Sequence, residues 1–170
     1  MANNDSNVRF SIIQLGNGQV TIVDLVDSEL DFITWHLTGN TEHGFHVVHH
    51  IWEKGHSKAL LLHRIIMARV IGRPLDDFEH VDHRDGNGLN NTRANLRIAT
   101  HTQNMQNRKR HKNNKSGYKG VYRRRSGKWR AAIRVNGKYI SLGSFDTPEE
   151  AYAAYCKAAI QYHGEFARFE

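Results

Sequence analysis

The chain has 170 residues, with 24 Lys and Arg against 17 Asp and Glu for a net charge of +7, 39% hydrophobic residues and one cysteine. That length allows one ordinary domain or two small ones. The lone Cys156 excludes an internal disulfide and a cysteine-rich zinc site, and the polar start Met1 to Asn7, with no long apolar run after it, argues against a signal peptide or membrane span and for a cytoplasmic protein. Charge is unevenly placed: residues 1–85 carry 7 basic and 12 acidic side chains, residues 86–145 carry 15 and none, and residues 146–170 carry 2 and 5. A block at +15 predicts contacts to the phosphates of a nucleic acid, with affinity falling steeply as salt rises.

In chain order, Phe10 to Asp24 alternates and is rich in β-branched residues, which predicts a small sheet. Leu60 to Ile71 predicts an amphipathic helix stopped by Gly72 and Pro74. Within it His63 reads as a packing residue, and the run His46, His49, His50 and His56 has no ligand spacing that specifies zinc. Glu79 to His83 is extended, Asp85-Gly86-Asn87-Gly88 reverses the chain, and Leu96 to Ala99 returns it. Thr100 with Gln103 three residues on forms a capping box that starts a helix at His101. Asn107 to Ser116 has no apolar residue and many cations, so it reads as a flexible basic linker that tracks DNA. Beyond it, Tyr118 to Tyr122, Lys128 to Val135 and Lys138 to Gly143 predict three strands, with turns at Ser126-Gly127 and Asn136-Gly137. Pro148 opens a helix whose apolar face is Ala151, Tyr152, Ala154, Tyr155, Ala158, Ala159 and Tyr162, ending at Gly164.

Chemistry concentrates between Glu79 and Asn104. An aspartate and an asparagine amide supply hard oxygens for a divalent cation, and a neutral imidazole deprotonates water near pH 7. The reversal should bring Asp82 and His83 near Asn104 on the helix, with Asn95 in the loop between. Arg84, Arg93 and Arg97 are candidate phosphate clamps.

The set Asp82-His83, Asp85-Gly86-Asn87, Asn90-Asn91, Asn95-Leu96-Arg97 and Asn104 resembles the HNH endonucleases of phage and mobile introns. The resemblance implies a ββα-metal fold in which Asp82 and Asn104 hold one Mg²⁺ or Mn²⁺, His83 activates water, and Asn95 holds the loop and positions the histidine. Leu62-His63-Arg64 resembles an element of the region that precedes this motif in the same enzymes. After the linker, Tyr118-Lys119-Gly120-Val121-Tyr122, Gly127-Lys128-Trp129, Ile133-Arg134, Leu142-Gly143-Ser144-Phe145-Asp146-Thr147 and Glu149-Glu150-Ala151 resemble the plant ethylene-response, Apetala-type DNA-binding domain. That likeness implies a sheet in the major groove and points to Lys119, Tyr122, Arg124, Arg130 and Arg134 as DNA contacts. Ser126, Ala132 and Ser141 depart from the plant pattern, so the plant target sequence does not transfer.

The expectation is therefore an α+β protein: an HNH nuclease domain over residues 1–106, with a ββα-metal core at about 79–110, then a basic linker over 107–116 that contacts DNA through Arg108, Lys109 and Arg110. An Apetala-type domain over 117–170, built as a three-stranded antiparallel sheet plus one helix, completes the chain. Its expected function is a metal-dependent, site-selective, homing-type endonuclease of double-stranded DNA, monomeric and needing no small-molecule cofactor. The alternative is a DNA-binding regulator that keeps the HNH fold as scaffold.

Overall fold

The computed structural model describes residues 9–40, 44–110 and 113–169, so the polar start and positions 111 and 112 of the expected linker lie outside the described residues. The chain divides into two compact units, residues 1–98 and 99–170. The expected boundary was at 106/107. The difference has a local cause: Lys119 donates its ammonium to the carbonyls of Gln106 and Arg108, at 2.7 Å each, which ties the end of the preceding helix to the start of the C-terminal sheet.

In the first unit, β1 (Phe10–Gln14) and β2 (Val20–Asp24) form the antiparallel hairpin that alternation predicted, Ile12 opposite Ile22. A 3-10 turn at Leu25–Phe32 follows. Next comes a three-stranded antiparallel sheet that the sequence reading did not anticipate: β3 (His36–Asn40), β4 (Gly44–Glu53) and β5 (His56–Leu61), with β4 central. Its polar, histidine-rich strands hide the period-2 signal. Helix α1 (Leu62–Ile71) ends where Gly72 takes φ +71°, a left-handed cap that costs glycine little. The core packs Ile13, Val23, Trp35, Val47, Leu62, Ile66, Val81 and Leu96 together. Trp35 is fully buried, with its indole N–H donated to the Leu30 carbonyl at 2.8 Å. The hairpin β6 (His80–His83) and β7 (Leu96–Ala99) closes this part of the chain.

Helix α2 (His101–Gln106) starts at Thr100 with the full capping box: the Gln103 N–H donates to Thr100 Oγ1 and the Thr100 N–H to Gln103 Oε1. The described ends of the basic segment are tied down: Asn107 is buried, and the Asn114 amide donates to the Tyr118 carbonyl at 2.8 Å. Strands β8 (Val121–Arg123), β9 (Trp129–Val135) and β10 (Lys138–Phe145) form an antiparallel sheet with β9 central. Strand β8 begins three residues later than alternation suggested, because Gly120 sits at φ +74° and presses against Tyr155, where a Cβ would lie 2.1 Å from the ring. Asn136 and Gly137, both at positive φ, make the tight turn that their sequence predicts. Helix α3 (Pro148–His163) is capped by Thr147 and Glu150 and packs Ala151, Tyr155, Ala158 and Ala159 inward, while Tyr162, expected on that face, is exposed.

Candidate active site

The chain from β6 to β7 is held by its own turn chemistry and by its neighbours. Asp85 accepts the Asn87 N–H at 2.8 Å, an Asx turn, and also the Asn90 amide at 2.8 Å and the Asn95 amide at 3.0 Å. Burial pushes the Asp85 carboxyl up, but these hydrogen bonds outweigh it and leave the group below its ordinary value. Asn95 also donates to the Asn90 carbonyl at 2.7 Å and accepts the Asp85 N–H at 3.1 Å. It thus braces the loop at both ends. Gly88 is present for space: a Cβ there would fall 1.7 Å from the Phe45 carbonyl oxygen. The loop is also strapped to β2, because Ile22 N–H donates to the Leu89 carbonyl and Asn91 N–H to the Ile22 carbonyl.

Asn91, which the sequence marks only as half of an Asn90-Asn91 pair, bonds the His83 ring through its side chain. Asn91 is fully buried, and its Oδ1 lies 3.1 Å from His83 Nε2. Its amide orientation is fixed by the neighbours: Nδ2 donates to the Gly88 carbonyl at 3.1 Å and to Thr21 Oγ1 at 2.8 Å. The Thr21 hydroxyl hydrogen is already spent on the Leu89 carbonyl at 2.8 Å, so this oxygen must accept from Asn91. Oδ1 is therefore the atom that faces His83, and Nε2 carries the ring proton. Neutral His83 then has its basic lone pair on Nδ1.

His83 is buried, 7% exposed, and burial lowers its pKa from the ordinary imidazole value against the opposing pull of the Asn91 hydrogen bond. It is the end of a row. The His63 ring meets the His83 ring edge-on, centroids 5.2 Å apart, and His46 lies 5.3 Å beyond His63. His63 is 5% exposed and its pKa is driven well below the ordinary value by burial first and then by His83 and His46. His49 and His50 bond instead to the Thr34 carbonyl and the Ser57 hydroxyl. Among the described residues no group of three or more His, Cys, Asp or Glu is disposed to hold a metal.

Asp82, on β6 beside His83, is 5% exposed, and its Oδ2 accepts both Arg97 Nε at 2.9 Å and a terminal Arg97 nitrogen at 2.7 Å. Arg97 is itself buried, so this candidate phosphate clamp holds a carboxylate across the hairpin. Arg93 is committed likewise: it grips the fully buried Asp27 through Nε at 2.7 Å and a second nitrogen at 2.9 Å. Arg84 is exposed. Asn104, the other ligand that the resemblance implies beside Asp82, is half-buried in the first turn of α2, in the second unit. A carboxylate and an amide each carry the hard oxygen that Mg²⁺ or Mn²⁺ takes.

In the second unit the sheet turns one face to α3 and the other outward. Register puts Tyr122 opposite Arg130 and Tyr139 opposite Arg134 on the outer face. Tyr122, Arg130, Ala132 and Tyr139 line a cleft of about 440 Å³ there. Arg134 lies over the Tyr139 ring at 5.6 Å, and Arg108, Lys109, Arg110 and Arg124 are exposed. Lys119 differs from these expected contacts. Its ammonium faces carbonyls, and burial followed by the charge of Arg168 lowers its pKa to about 8.

A family model described as HNH endonuclease matches residues 60–106, and one described as AP2 domain matches residues 116–165. The chain is similar to an uncharacterized HNH endonuclease of Acanthamoeba polyphaga mimivirus, 31% identical over 164 residues, covering 96% of this chain and 81% of that one. It is 36% identical over 97 residues to protein 3.8 of Escherichia phage T7, covering 56% of this chain and 79% of that one. Ethylene-responsive transcription factor WRI1 of Arabidopsis thaliana is 54% identical over 52 residues, 29% of this chain and 12% of that one. No solved structure matches.

Proposed function

From the premise that this chain belongs to the HNH endonuclease family, we propose that it is a metal-dependent, site-selective DNA endonuclease of the homing type, with the AP2-type segment supplying the address. The observation that best supports this reading is the buried His83 ring beside Asp82, whose Nε2 is committed to Asn91.

His83 Nδ1 takes a proton from water, and the resulting hydroxide attacks phosphorus. The bond from phosphorus to the leaving 3′-oxygen breaks, and that oxygen collects a proton from solvent. Asn91 keeps Nε2 protonated throughout, so His83 passes between neutral imidazole and imidazolium without changing tautomer. Asp82 and Asn104 would hold one Mg²⁺ or Mn²⁺, which when bound supplies Lewis-acid stabilisation of the charge developing on the phosphate. Asn95 acts at a distance, by holding the loop that carries Asn91. Arg84, Arg108, Lys109, Arg110 and Arg124, with Arg130, Arg134 and Tyr122 on the outer sheet face, contact duplex DNA.

The pairing of Asp82 with Arg97 favours a second reading, in which the fold is retained as a scaffold for a DNA-binding regulator. A supercoiled-plasmid assay separates the two: wild-type protein and His83→Ala compared with Mg²⁺, Mn²⁺ and EDTA, at matched DNA binding. Relaxed or linear DNA with metal and wild-type protein alone is the expected result. Tight binding by both proteins with no cutting under any metal would hand the case to the regulator.

A further inference from the structure

We propose that the cleft on the outer face of the C-terminal sheet reads one base step: Arg130 recognises a guanine, and the floor at Ala132 receives the 5-methyl group of an adjacent thymine. The inference rests on the reading of the AP2-type segment as the address, and it names part of what that address says.

The cleft exists because small residues meet at one level of the sheet. Ala132, on the central strand β9, is buried. On one side its N–H donates to the Gly120 carbonyl at 2.9 Å, just ahead of β8, and on the other it lies opposite Ser141 of β10. A glycine, an alanine and a serine abreast leave a hollow of about 440 Å³, walled by the exposed rings of Tyr122 and Tyr139. Ala132 and Ser141 are positions where the chain departs from the plant pattern, so the hollow is a property of this chain.

Arg130 stands at one end of it. Two residues before Ala132 on the same strand, it shares the outer face and lies opposite Tyr122. It is half-buried, and its Nε is buried without a hydrogen-bond partner. A desolvated donor is costly unless a ligand brings it an acceptor. Arg134, two residues beyond Ala132, differs: its Nε donates to the Gly137 carbonyl at 3.2 Å and its guanidinium lies over the Tyr139 ring.

The lining selects base edges over phosphate. A phosphate carries charge and bound water, which an apolar floor between two phenol rings does not accommodate. In the major groove guanine presents O6 and N7 side by side, the pair of acceptors that a guanidinium fork matches, whereas adenine and cytosine present an amino donor there. Thymine presents its C5-methyl group, the apolar feature a small hollow can take. Successive bases lie about 3.4 Å apart along a strand. Arg130 and Ala132, about 7 Å apart on β9, can address two neighbours with one long and one short side chain.

The test selects sequences from a randomised duplex pool with the full chain in EDTA, so that no cleavage intervenes. Wild type, Arg130→Ala, Arg130→Lys and Ala132→Leu are run in parallel. Wild type should enrich a motif with guanine beside thymine. Both Arg130 variants should lose the preference for guanine, about 5- to 150-fold between matched and mismatched duplexes, and keep the rest of the motif. Lysine decides between roles, because it keeps the charge a phosphate contact needs and lacks the fork a guanine needs. Ala132→Leu should lose the thymine preference alone. Two substitutions in the DNA give the same readout without a variant that must fold. With wild-type protein, 7-deazaguanine, which lacks the N7 acceptor, should weaken binding, and uracil in place of the thymine should weaken it about fourfold. An unchanged motif in the folded Arg130 variants, with affinity for all sequences lowered alike, would make Arg130 a phosphate contact and overturn the proposal. Equal binding of the uracil and thymine duplexes would overturn it as well, and in both cases the address reading would stand. A wild-type chain that enriches no motif would remove the address reading, and the proposal with it.

Discussion

Replacing Asn91 by alanine isolates what the amide does for His83. The substitution removes three side-chain hydrogen bonds: from His83 Nε2, to Thr21 Oγ1 and to the Gly88 carbonyl. At roughly 0.5–1.5 kcal/mol each, their loss from a fully buried site costs about 2–4 kcal/mol of stability, read by urea denaturation. The kinetic effect is separate. Losing the tautomer lock, worth about 1–1.5 kcal/mol, costs about tenfold in rate. Loosening the ring adds up to about a further 10²-fold. Single-turnover cleavage with DNA affinity held constant should therefore fall by between about tenfold and a thousandfold. Asn91→Asp sharpens the test, since a carboxylate at Nε2 raises the His83 pKa and moves the acid limb of the rate profile to higher pH. A folded Asn91→Ala protein cutting at the wild-type rate would refute the claim that this amide sets the tautomer.

Arg97→Ala leaves the Asp82 carboxylate buried without the guanidinium that pairs it. The expected cost is about 3–5 kcal/mol in urea denaturation with EDTA, partly recovered by Mg²⁺. His46, His63 and His83 all have lowered folded-state pKa values, with burial as the leading cause. The unfolded chain therefore binds protons first. The stability these groups contribute is whole above about pH 6.5 and is lost as pH falls through the lowered folded values, so urea denaturation at pH 5 should give less stability than at pH 7.5. Lys119 spends its ammonium on the carbonyls of Gln106 and Arg108. Lys119→Ala should leave the salt dependence of DNA binding unchanged, whereas Arg134→Ala should lower the slope by about one unit in a titration of affinity against salt.

Features that depend on neighbouring residues were legible in the sequence. The capping box at Thr100 and Gln103, the turn at Asn136 and Gly137, and the start of α3 at Pro148 all follow from side chains within a few positions of one another. What escaped was set by contacts across the chain. The partner that orients Asn91 is Thr21, and the carboxylate that engages Arg93 is Asp27; no spacing rule joins such positions. Arg93 and Arg97 were therefore read as phosphate clamps because their acidic partners could not be seen. His63 is the buried packing residue its helical run predicts, but nothing local reveals that β6 delivers His83 to its side. Gly88 was right for a different reason: it is needed for closeness to Phe45, while Gly86, at φ +67°, supplies the left-handed step.

The loop that carries Asn91 and Asn95 has a bearing on where a working nuclease module can be cut from its parent. The family match opens at residue 60, yet that loop is gripped from outside the match by Thr21, Ile22, Asp24, Asp27 and the Phe45 backbone. A transplant of the matched segment alone would carry His83 and abandon the residues that hold its loop. Recombination C-terminal to the loop leaves the N-terminal strands and these contacts in place, and recombination at residue 60 does not.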